Sequence, residues 1–109
     1  MQSVPINRVN VVNAALPAAN TDIITAISPM LDPGVLRIYV CISIAGVLAV
    51  NRTYGGTGRL ELLNAGAALV AGAAYMFTVA YRSLETVNIQ YSTTTGTIYK
   101  LQIDECWNF

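Results

Sequence analysis

"LLNAGAALVAGAAYMFTVAY", Leu62 to Tyr81, contains no charged residue. A transmembrane helix needs about 20 predominantly apolar residues, so the reading of this stretch decides between an apolar helix and a set of strands. Asn64, Gly66 and Gly72 interrupt it, alanine makes up much of it, and no basic cluster flanks either end, all of which weaken the case for membrane insertion. As strands it is regular: a turn at Asn64 to Gly66, a short strand, a turn at Ala71 and Gly72, then a strand from Ala74 to Tyr81. In that last strand Tyr75, Phe77, Val79 and Tyr81 share one face, and Met76, Thr78 and Ala80 the other. Period-two spacing bounded by turn residues is the pattern of a half-buried strand.

The same grammar runs outward in both directions. In "VLRIYVCISI" (Val35 to Ile44) Leu36, Ile38, Val40, Ile42 and Ile44 alternate with Arg37, Tyr39, Cys41 and Ser43. Ala45 and Gly46 lead into "VLAVNRTY", so the two runs read as a hairpin, with "GGTG" (Gly55 to Gly58) as a loop after it. "TVNIQYS" puts Val87, Ile89 and Tyr91 inward and Asn88, Gln90 and Ser92 outward. After "TTTG", "TIYKLQIDECW" sets Tyr99, Leu101 and Ile103 on one face and Lys100, Gln102 and Asp104 on the other. Strands at this rhythm predict an all-β fold, a single antiparallel β-sandwich or jelly-roll-like domain over residues 35–109. Residues 1–34 differ: Pro5, Pro17, Pro29 and Pro33 disfavour long regular pairing. They read as an extended N-terminal arm with one or two short edge strands, one around Asp22 to Ile27, able to reach a neighbouring subunit by strand addition.

Composition narrows the function classes. Of 109 residues, 11% are charged and 54% hydrophobic, and six basic residues cancel six acidic ones. Soluble domains carry about 25% charge, and zero net charge favours association. A homo-oligomer is therefore expected. The basic residues are scattered singly, so no electrostatic footprint for nucleic acid is present. The N-terminus lacks the charged and apolar regions of a secretory signal, which predicts synthesis in the cytoplasm. Cys41 and Cys106 then read as buried free thiols.

No catalytic pattern emerges. The chain has no histidine, the commonest general base and metal ligand. Asp104 and Glu105 point to opposite strand faces and cannot act as a carboxylate pair. "YGGTG" (Tyr54 to Gly58) matches no phosphate-binding pattern, and Ser83 and Ser92 lack a base partner. The expectation is a non-enzymatic protein without metal or cofactor. "ECWNF" ends the chain on Trp107 and Phe109, an apolar end suited to docking. With Val4, Ile6 and Val9 of the arm, these are the candidate assembly contacts; Tyr54, Gly55 and Gly56 form the candidate exposed loop.

The stretch "NAGAALVAGAAYMFTVAYRSLETVNIQYSTTTGTIYKLQIDE" resembles small β-sandwich structural proteins from the virions of tailed bacteriophages and archaeal viruses. In those proteins a glycine-and-alanine turn precedes an aromatic strand, a tight N-x-Q-Y-S strand and a final strand ending in acidic residues. Tyr75, Phe77, Asn88, Gln90, Tyr91, Ser92, Leu101, Ile103, Asp104 and Glu105 carry the likeness. It implies a capsid decoration (cement) protein or a spike or fibre subunit, made in host cytoplasm and carried on the virion. The expected partners are further copies of itself, as a trimer, and other virion proteins such as a major capsid protein, with neither nucleic acid nor membrane. The alternatives are a carbohydrate-binding or adhesive β-sandwich using exposed tyrosines, and a small membrane protein using Leu62 to Tyr81.

Overall fold

The clearest pattern in the sequence becomes the centre of the fold. In the computed structural model, which describes residues 5–81 and 84–107, strand β2 (Gly34–Ile42) buries Leu36, Ile38, Val40 and Ile42. Its opposite face leaves Arg37 exposed and Tyr39 and Cys41 half-buried. Six further strands accompany it among the described residues: β1 (Ile6–Ala15), β3 (Leu48–Tyr54), β4 (Thr57–Leu62), β5 (Ala74–Tyr81), β6 (Thr86–Tyr91) and β7 (Thr97–Trp107). They form two antiparallel sheets, ordered β1-β7-β2-β5 and β4-β3-β6. Leu36, Ile38, Leu101 and Ile103 of the first sheet join Leu48, Val50, Val87 and Ile89 of the second in one buried cluster. The chain is an all-β sandwich.

The opening stretch resolves as turns and the strand β5, with only an isolated bridge where the short strand before Ala71 was expected. Asn64–Gly66 is a single 3-10 turn, Leu69 makes an isolated bridge to Gly46, and β5 alternates with Val79 and Tyr81 buried and Met76, Thr78 and Ala80 exposed. Among the described residues no helix is long and apolar enough to cross a membrane.

Four local expectations need correction. The two runs Val35 to Ile44 and Val47 to Tyr54 do not form a hairpin: β2 and β3 lie in different sheets, and the chain crosses between them. Gly46 sits at that crossing, where a Cβ would stand 2.7 Å from the Tyr91 ring. The hairpin is instead β3–β4, closed by Gly55 and Gly56 with φ of 61° and 81°, the left-handed pair required by a type I′ turn. Tyr99 is exposed, not inward: between Cys41 and Ile42 of β2 the register with β7 shifts, and Ile98 takes the buried position. An inserted residue reverses the faces beyond it. Asn88 is buried because residues of the N-terminal region lie against it.

That region begins with the ten-residue β1, which pairs with β7 at the sheet edge. Residues 16–33 then cross to the other sheet and run along β6. Asn20 and Ile23 donate backbone N–H to Tyr91 and Ile89 carbonyls, and Ile27 bridges Val87. Only this isolated bridge at Ile27 stands where a short strand over Asp22 to Ile27 was expected. The Asn88 amide donates to the Ile24 carbonyl at 2.7 Å and accepts from the Ile24 N–H at 3.2 Å, so the segment covers the β6 edge.

Candidate functional site

Where β3 and β4 run beyond the core, the inner face of their hairpin turns polar and a cleft opens against the end of β5. It is lined by Arg52, Tyr54, Thr57, Arg59, Ala80, Tyr81, Leu84 and Glu85, with a volume of about 700 Å³. Register explains the lining: Arg52 pairs with Arg59 and Tyr54 with Thr57, so all four share the face that Val50 turns toward the core. Arg52 is the organiser. Its guanidinium meets Glu61 Oε2 at 3.0 and 3.1 Å and Glu85 Oε1 at 3.6 Å, and Nη1 donates to the Ala80 carbonyl at 2.5 Å. Two carboxylates thus neutralise Arg52, while Arg59 projects into the cleft with no carboxylate partner among the described residues. Tyr54, 58% exposed, stands at the rim beside the Gly55–Gly56 turn.

A second polar cluster is sealed. Glu105 continues the inward face of Leu101 and Ile103 and is fully buried. The Tyr81 hydroxyl and the Arg8 guanidinium both donate to it, as do the backbone N–H groups of Met30 and Leu31 at 2.6 and 2.7 Å. Arg8 reaches inward because it is the extra residue of a β-bulge between Asn7 and Val9, a device that re-aims a side chain. It also donates to the Ser28 carbonyl at 2.9 Å. Burial alone would raise the Glu105 pKa, but the Tyr81 hydroxyl, the Leu31 and Met30 N–H groups and Arg8 outweigh it and hold the carboxyl below its usual range. Burial, then the bond to Glu105 and its charge, push the Tyr81 hydroxyl well above the usual tyrosine value. With its carboxylate bonded on both oxygens and shut away from solvent, this cluster ties residues 28–31, β1, β5 and β7 together.

The residues singled out from sequence fall in separate places. Tyr54, Gly55 and Gly56 form the hairpin tip. Ile6 pairs with Glu105 at the start of β1, and Trp107 pairs with Gly34 at the end of β7, so the two lie toward one end of the first sheet. Trp107 is exposed, whereas Val9 is partly buried against the core. Val4 and Phe109 lie outside the described residues. Cys106 is buried and Cys41 half-buried, both as free thiols. Among the described residues no group of histidine, cysteine and carboxylate side chains is placed to hold a metal ion.

Sequence reasoning missed the Arg52 and Glu105 clusters and the whole of β4. Glu105 did leave a signal, since it shares parity with Leu101 and Ile103 and a carboxylate on an apolar face needs partners. No family model matches the chain, and no curated protein or solved structure shows significant similarity to it.

Proposed function

We propose that this chain is a non-enzymatic assembly protein, a β-sandwich building block that adds contact area to a larger particle in the manner of a virion decoration, spike or fibre subunit. The observation that supports this most is the exposed hairpin strand β4. All six of its residues are exposed, and Leu60 and Leu62 are 58% and 54% accessible on a chain with 11% charge. Val12, Met76, Leu84, Tyr99 and Trp107 add further exposed apolar surface. Apolar area of this kind gains free energy when a neighbour covers it, and subunits that bind only the assembled state stabilise it by mass action. Stripping the chain from particles that carry it is expected to lower their melting temperature. Unchanged thermal and mechanical stability after stripping would contradict a cement role.

A second reading, glycan binding, is favoured by one observation: Tyr54 is exposed at the rim of a cleft whose size suits a small ligand, about 300–1,000 Å³. It predicts that Tyr54→Ala abolishes glycan retention, and equal retention by the variant would remove it.

A further inference from the structure

The sandwich has four sheet edges, and two are closed to another strand. Residues 20–27 cover β6. On β5 the Arg52 guanidinium occupies one carbonyl, that of Ala80, and the strand's register with β2 is unbroken. β1 is broken by its bulge at Arg8 and by the left-handed backbone of Asn13, with φ of 51°. Covering an edge and breaking it are recognised protections against edge pairing. β4 is neither covered nor broken. It contains neither proline nor bulge, and its register with β3 is unbroken from Leu62 to Thr57.

The backbone orientation along β4 follows from its hairpin. Leu63 donates its N–H to the Leu48 carbonyl at 2.9 Å. Alternation along an antiparallel ladder then aims Thr57, Arg59 and Glu61 at β3 and turns the N–H and C=O groups of Gly58, Leu60 and Leu62 outward. Those outward groups have no backbone partner among the described residues.

We propose that β4 pairs with β4 of a second copy of this chain, antiparallel about a two-fold axis, with Leu60 opposite Leu60 of that copy. In this register Gly58 stands opposite Leu62, so every outward N–H and C=O along the strand finds a partner. Arg59 stands opposite Glu61 of the second copy, twice by symmetry, at the non-hydrogen-bonded positions where side chains approach most closely. Glu61 has an oxygen to give, because Arg52 engages Oε2. Sliding two strands by one hydrogen-bonded step in either direction places Arg59 against Arg59 or Glu61 against Glu61, and like charges directly opposite destabilise a pair. Charge therefore selects the same register that backbone pairing prefers. Leu60 and Leu62 of both copies come together on the outer face, and the three-stranded sheets merge into β6-β3-β4-β4-β3-β6. This deepens the assembly reading and rests on it for the expectation of self-association; the register comes from β4 itself.

Charge reversal tests it. The wild-type chain, Arg59→Glu, Glu61→Arg and an equimolar mixture of the two variants are measured by light scattering after size exclusion, with circular dichroism as the check on folding. The wild type is expected at twice its 11.7 kDa chain mass or above. Each variant alone sets like charges opposite one another and is expected to dimerise at least tenfold more weakly. In the mixture every Arg again meets a Glu, so the dimer returns. Folded variants that keep the wild-type mass overturn β4 pairing while leaving assembly intact, whereas a wild-type monomer overturns both. Should Glu61→Arg misfold beside Arg52, Leu60→Pro serves in its place: it removes an outward N–H without touching the β3 ladder. A folded Leu60→Pro protein of wild-type mass overturns the proposal.

Discussion

Glu105 and Glu61 show how differently two carboxylates of one chain behave. Glu105 is fully buried with Arg8, while the Glu61 side chain is half exposed beside Arg52. Breaking a buried pair from one side costs about 3–5 kcal/mol, because the other charge is left uncompensated. Exposed pairs are worth at most about 1 kcal/mol. Glu105→Gln should therefore destabilise the fold by about 3 kcal/mol in urea denaturation, and Glu61→Gln by less than about 1 kcal/mol. Gly34 belongs to the same cluster, since a Cβ there would stand 1.9 Å from the Tyr81 hydroxyl. Gly34→Ala must push Tyr81 off Glu105, and a loss of about 1–3 kcal/mol is expected. None of this was legible locally: Glu105 meets its partners 97 and 24 residues away in sequence. Only its parity with Ile103 marked it.

Titration of Glu105, Tyr81 and Tyr91 makes stability depend on pH at both extremes. The folded pKa of Glu105 lies below the unfolded value of about 4.3. Its contribution is thus complete above that pH and disappears as the pH falls through the folded pKa. Tyr81 and Tyr91 are both raised, chiefly by burial. Unfolded tyrosines ionise near pH 10, so stability is complete below about pH 10 and falls as the pH rises above it. A urea midpoint that is flat between about pH 5 and 9 and declines on both sides is expected. In Glu105→Gln the decline on the acid side should be shallower.

Among the elements, legibility followed burial. β2 and β5 bury alternate residues on one face, and their sequences alternate accordingly, as does β6 apart from the covered Asn88. β4 is exposed on both faces, so nothing constrained "TGRLEL" to announce itself. The Gly55–Gly56 segment was legible as a loop but not as the turn closing a β3–β4 hairpin. Whether a chain folds back beside its neighbour or crosses to the facing sheet depends on long-range pairing that no short window contains. Residues 16–33 illustrate a third case: a proline-punctuated segment with no period of its own, fixed by backbone and side-chain hydrogen bonds to distant strands. Asn88 carries much of that fixation by standing in for a strand partner of Ile24. Asn88→Ala should cost about 1–3 kcal/mol through the unpaired Ile24 groups. It should also accelerate hydrogen exchange at Ile23, Ile24 and Ile27 more than at β2 or β7.

On the scale of the whole molecule, a small sandwich with little charge leaves its apolar surplus on the outside. The core takes most of the isoleucines and leucines, while large apolar side chains from Val12 to Trp107 stay accessible. Composition alone pointed to association; that β4 is an open edge became visible only in its pairing with β3. The claim at the centre is that this surface is made for contact between subunits, and sedimentation of the full chain over a wide concentration range, without detergent, tests it most directly. A species heavier than 11.7 kDa that gains population with concentration is the expected result. A single 11.7 kDa species at every concentration would contradict it.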